Sequence, residues 1–116
     1  MPGKVTRGAV VEVNLDPIIG HEISKSRPCV VIQNDVGNAA SHCTIVAAIS
    51  GAEHHPKPLP FFAFVPKGEA GLTKDSYVLA NQIRTVDEKR FGKIYGKVGK
   101  EVMKDIDKAL RISLSL

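Results

Sequence analysis

The sequence predicts a mainly β chain, a small and strongly bent antiparallel sheet or barrel with a C-terminal helix. Three observations carry that prediction. Short runs rich in β-branched and aromatic residues recur at 9–15, 29–33, 43–49, 61–65, 76–83 and 93–98, with turn residues between them. The last segment changes period: Val102, Met103, Ile106, Ala109, Leu110, Ser113 and Leu114 recur at three and four, the stripe of an amphipathic helix. The links between runs are short, which favours antiparallel neighbours.

Residues 9–15 (Ala-Val-Val-Glu-Val-Asn-Leu) set Val11, Val13 and Leu15 against Glu12 and Asn14, the period of two of a half-buried strand, and Asp16-Pro17 ends it. Ile18, Ile19 and Gly20 open a polar loop; the two isoleucines read as core cover, with a contact surface as the alternative. Cys29, Val30, Val31 and Ile32 suit a strand buried on both faces. Residues 34–38 are a turn signal, and 43–49 (Cys-Thr-Ile-Val-Ala-Ala-Ile) is another doubly buried strand that ends at Ser50-Gly51. Pro56, Pro58 and Pro60 keep 54–60 out of any central strand and make it a loop leading into 61–65. Residues 68–75 are turn-rich, and the strand at 76–83 is closed by Arg84 and Thr85. Asp87 to Arg90 suits a single helical turn, and 93–98 alternates as an edge strand studded with lysine. In the terminal helix Lys100, Lys104, Lys108 and Arg111 face water.

The 116 residues, 43% of them hydrophobic, hold no repeat, low-complexity segment or linker, so one domain over 1–116 with a modest core is expected. A net charge of +4 favours polyanionic partners, and the charge is uneven: residues 1–30 carry +4 and −3, 31–83 carry +3 and −4, and 84–116 carry +9 and −5. Cys29 and Cys43 both sit in strand-like apolar runs without metal-ligand spacing and read as buried free thiols, which fits a reducing cytosol. The N-terminus has a charged start but no apolar core of a signal peptide, and no run approaches the ~20 residues that span a bilayer. A soluble, cytoplasmic protein that contacts no membrane is the expectation.

Chemistry concentrates on residues 20–34. Pro28 pushes Arg27 to an extended backbone at the mouth of a rigid strand, beside the loop that carries His21, Glu22 and Lys25. An Arg mounted in this way suits phosphate recognition; a surface ion pair with Glu22 is the alternative. Ser50 stands at the end of one strand and Arg27 at the start of another, which puts both on one rim if the two strands are antiparallel neighbours. Ser50 reads otherwise as a capping hydroxyl. The adjacent His54 and His55 lack a third ligand at sensible spacing and read as exposed loop residues, so no metal and no cofactor is assigned.

Five ordered segments then resemble one family: Arg7-Gly8-Ala9-Val10-Val11; Gly20-His21-Glu22 with Arg27-Pro28-Cys29-Val30-Val31-Ile32-Gln33-Asn34-Asp35; Thr44-Ile45-Val46-Ala47-Ala48-Ile49-Ser50; Gln82-Ile83-Arg84-Thr85-Val86-Asp87; and Ile106-Asp107-Lys108-Ala109-Leu110. The set resembles the MazF/PemK endoribonuclease toxins of bacterial toxin–antitoxin systems, and looks most like their Gram-positive branch. The resemblance implies an SH3-like small barrel and a homodimer. It also implies metal-independent, sequence-specific cleavage of single-stranded RNA or mRNA, and a cognate MazE-like antitoxin whose tail blocks the site. It places the catalytic Arg on Arg27 and the catalytic hydroxyl on Ser50, where the family usually has Thr. Ser keeps the hydroxyl but loses the branched carbon that restricts χ1. Glu22, in the loop with His21 and Lys25, and Gln82 with Arg84 match the family's RNA-binding segments. Ala9 follows Arg7-Gly8 where an acid is more usual.

Metal-free cleavage needs the 2′-hydroxyl to attack its own phosphate in line, and Arg27 suits stabilisation of the phosphorane better than proton transfer, because a guanidinium rarely deprotonates. His21 has no partner in the sequence to fix its tautomer. A CcdB-like toxin that binds gyrase without nuclease activity is the alternative on the same fold; Arg27 together with Ser50 argues against it.

Overall fold

The computed structural model describes residues 5–17, 19–22 and 25–116. Six strands, β1 (Ala9–Asn14), β2 (Ser26–Val31), β3 (Cys43–Gly51), β4 (Phe62–Val65), β5 (Ser76–Asp87) and β6 (Phe91–Lys97), form one sheet in the order β4-β5-β3-β2-β1-β6. Every pairing is antiparallel. A short helix α1 (Asp35–Ala40) links β2 to β3, and α2 (Lys100–Leu114) ends the chain. The expected mainly β architecture with a C-terminal helix is therefore present.

The sheet buries both faces because it curls. Val10, Val30, Ala47, Ile49, Val78 and Ala80 pack on one face against Ile106, Ala109 and Leu110 of α2. Val11, Val13, Cys29, Val31, Val46, Ala48 and Val86 pack on the other with Val5 and Leu15. β1 is thus buried on both sides at its start, more than its alternating sequence implies. β5 carries a bulge: Ala47 of β3 faces Ile83 while Ala48 faces Leu79, so residues 80–82 are extra and bend the strand. The far ends of the sheet approach one another where the turn before β5 meets β6. Gly71, at φ 78°, lies so close there that an added Cβ would come within 2.4 Å of the Tyr95 carbonyl oxygen, which only glycine permits.

Several details correct the sequence reading. Residues 34–38 are no simple turn: Asn34 caps α1 by accepting from the Gly37 N–H at 2.8 Å, and buried Asn38 anchors the helix by accepting from the Thr44 hydroxyl at 2.6 Å. β2 begins at Ser26, so Arg27 and Pro28 lie within the strand, paired with Val13 and Glu12. β5 continues to Asp87 beyond the expected close at Arg84 and Thr85. Cys43 is only half-buried, whereas Cys29 is fully enclosed. Ile19 is 82% exposed and covers no core; Ile18 lies outside the described residues. Leu114 is 48% exposed, so the buried part of the helix stripe ends at Leu110, with Ser113 held by a 2.9 Å bond to the Ala80 carbonyl. Among the described residues no helix is long and apolar enough to cross a membrane.

Candidate active site

β2 and β3 pair from Cys29 opposite Ala48 to Val31 opposite Val46, and the ladder stops at Cys29, beside a proline with no N–H to offer it. Continuing that register by two residues sets Arg27 opposite Ser50, so both side chains leave the sheet on the same face. Here the strands part and a cleft of about 550 Å³ opens. Arg27, Pro28, Ser50, His54, His55, Lys74 and Tyr95 line it. β2, β3 and the segments around β5 and β6 thus converge on one rim.

The cleft's electrostatics are mixed. Lys74 bonds Glu53 at 2.7 Å, and that contact holds the Glu53 carboxyl below the usual carboxylate range. Lys93 lies over the Tyr95 ring, its Nζ 4.9 Å from the centroid. Behind the rim, burial pushes the Cys29 thiol up to about 12 despite the opposing pull of Arg27 and Arg84, so it stays protonated and unreactive. Among the described residues no group of three or more His, Cys, Asp or Glu side chains is arranged to hold a metal ion.

The other candidate residues lie elsewhere. His21 and Glu22 are exposed on the β1–β2 loop, where the Glu22 carboxylate receives the Ile19 N–H at 2.8 Å. Lys25, at φ 67°, closes the base of that loop: its N–H donates to Asp16 at 2.9 Å and its carbonyl accepts from Leu15 at 3.2 Å. Arg84 donates to the Leu15 carbonyl at 2.5 Å, and Arg90 to the Asn14 and Asp16 carbonyls at 2.9 and 2.8 Å, so two guanidinium groups brace the loop's stem. Gln82 lies half-buried in the β5 bulge.

The residue the sequence reading missed is His55. It is half-buried rather than exposed, and its Nε2 lies 2.9 Å from the Ser50 hydroxyl. The ring stands edge-on to Phe62 and Tyr77, with centroids 5.1 and 6.2 Å away. The available signal was its place five residues after Ser50, across a link that turns at once: a single 3-10 turn, Ala52–His54, carries the chain back over the strand end, and the His55 N–H closes it on the Ala52 carbonyl.

The family model for the PemK-like, MazF-like toxin of type II toxin–antitoxin systems matches residues 6–114. The chain belongs to that family. This MazF-like chain is also similar to the endoribonuclease EndoA of Bacillus subtilis, 40% identical over 112 residues that cover 97% of this chain and 96% of the relative. Solved MazF-like structures share its fold. MazF from Deinococcus radiodurans superposes with a TM-score of 0.80 at 22% identity, covering 97% of each chain. A mycobacterial endoribonuclease in complex with its cognate antitoxin does so with a TM-score of 0.79 at 21% identity, over 97% of this chain and 96% of the other.

Proposed function

We propose that this chain is the toxin of a type II toxin–antitoxin system and cleaves single-stranded RNA at the Arg27–Ser50 cleft without a metal ion. What supports the reading is that Arg27 and Ser50 line one cleft where β2 and β3 part, in a chain that is 40% identical to an endoribonuclease. The 2′-oxygen attacks the adjacent phosphorus, the bond from phosphorus to the 5′-oxygen breaks, and the proton lost by the 2′-hydroxyl is balanced by one gained at the leaving oxygen. The products are a 2′,3′-cyclic phosphate and a 5′-hydroxyl. Arg27 holds two oxygens of the phosphorane with its planar fork, and Ser50 donates a further hydrogen bond. His21, Glu22, Lys25 and Gln82 contact flanking nucleotides as part of the same proposal. Arg84 acts by bracing the loop through Leu15.

A cognate MazE-like antitoxin is the expected partner, since solved relatives include MazE–MazF complexes and an endoribonuclease bound to its antitoxin. A homodimer in the cytoplasm completes the reading. The named relatives are endoribonucleases, which does not favour the gyrase-binding alternative. Incubating the pure protein with a single-stranded RNA in excess chelator tests the proposal. Fragments ending in cyclic phosphate support it; intact RNA contradicts it.

A further inference from the structure

We propose that His55 is a positioning residue of this cleft, locking the Ser50 hydroxyl through Nε2 in the rotamer from which it serves a phosphate oxygen. The inference rests on the RNA-cleaving reading above. It begins with serine itself. With one heavy atom on Cβ, serine has three staggered χ1 wells and nothing in its own structure to choose among them, whereas a β-branched residue is restricted. The 2.9 Å contact from His55 supplies the missing restraint.

The direction of that hydrogen bond matters. When His55 is neutral with its proton on Nδ1, Nε2 accepts and the Ser50 hydrogen points at the ring, away from substrate. When Nε2 carries a proton, as in the other neutral tautomer or the imidazolium, it donates to Oγ and the hydroxyl hydrogen is released into the cleft. Among the described residues no carboxylate bonds the other ring nitrogen to hold the tautomer, so the bond to Ser50 and the substrate's charge decide it. The ring itself is fixed, set edge-on to Phe62 and Tyr77 and tied through its backbone to Ala52.

The charged and titratable groups facing His55 come from every neighbouring element. Arg27 of β2 and Lys74 before β5 line the same cleft, as do His54 on the adjoining turn and Tyr95 of β6. Glu53 pairs with Lys74 at 2.7 Å and stands 4.0 Å from His54, and Tyr77 of β5 packs on the ring. A bound phosphodiester supplies the acceptor for the released hydroxyl hydrogen. Substrate therefore promotes the donating form.

The test uses the full chain and an unstructured RNA oligonucleotide with a fluorophore and quencher, assayed in chelator. His55→Ala should lose on the order of tenfold in kcat, less than the ~10²-fold typical when an oxyanion donor itself is removed. His55→Gln, which can still hold Oγ, should keep more activity than His55→Ala. Ser50→Thr placed in the His55→Ala background should recover several-fold, because the branched carbon then restrains χ1. Circular dichroism confirms that each variant is folded. If folded His55→Ala and His55→Gln both cleave at the parent's rate, the inference is overturned while RNA cleavage at the cleft stands. A parent that cuts no RNA overturns the underlying reading and this inference with it.

Discussion

Arg7 and Asp107, one hundred residues apart, are joined by a 2.7 Å contact from Nη2 to Oδ1, and the same arginine sends Nε to the Ile32 carbonyl at 2.8 Å. One side chain thus ties the start of the sheet, the exit of β2 and helix α2 together. Both partners are about one-third exposed, at 32% and 33% of their side chains, so the ion pair itself is modest. Asp107→Asn is expected to cost about 0.5–1 kcal/mol. Arg7→Ala should cost about 1 kcal/mol more, because it also strands the Ile32 carbonyl. Urea unfolding of the two variants measures the difference; equal losses would mean that the Ile32 bond contributes nothing.

Asp35 opens α1 and receives the Arg7 N–H at 2.7 Å and the Asn38 amide at 3.2 Å, which hold its carboxyl below the ordinary range. A folded carboxyl with a depressed pKa binds fewer protons than the unfolded one. Its stabilisation is therefore complete above the ordinary carboxylate pKa near ~3.9 and is lost as pH falls through the folded value. Asp35→Asn should lower the melting temperature at pH 7, and the difference should shrink as pH falls below the ordinary carboxylate range. A difference that stays constant as pH falls would contradict the account.

Cys29, fully enclosed and with its thiol pushed up to about 12, should resist alkylation in the native protein. Half-buried Cys43 should react first with iodoacetamide, and Cys29 only after unfolding. Peptide mass spectrometry after native labelling decides this; prompt modification of Cys29 would show that the β2–β3 core opens readily.

Much of the fold was legible because doubly buried strands such as Cys29–Ile32 and 43–49 announce themselves by uninterrupted β-branched runs. The helix α1 was not legible. Asp-Val-Gly-Asn carries turn chemistry, and only the buried partnership of Asn38 with Thr44 and Gln33 makes it helical. Arg27 and Ser50 could be placed on one rim from chain order alone, since antiparallel neighbours bring a strand's start beside its partner's end. His55 could not. Three prolines at 56, 58 and 60 mark an exposed loop in sequence, and its half-burial arises from Phe62 and Tyr77, brought in by β4 and β5. Arg84, too, reads in sequence as an RNA-binding residue beside Gln82, and is committed to Leu15 only by tertiary contact.

The central claim is that Arg27 stabilises the phosphorane bidentately, with Ser50 as the neighbouring donor. Lysine at position 27 keeps the charge but loses the planar fork. The most direct measurement compares the single-turnover cleavage rate and the RNA affinity of the parent, Arg27→Lys and Ser50→Ala on one single-stranded substrate. Arg27→Lys is expected to lose on the order of 10²-fold or more in rate while binding changes far less, and Ser50→Ala to be slowed as well. If both variants cleave at the parent's rate, the cleft between β2 and β3 is not where RNA is cut.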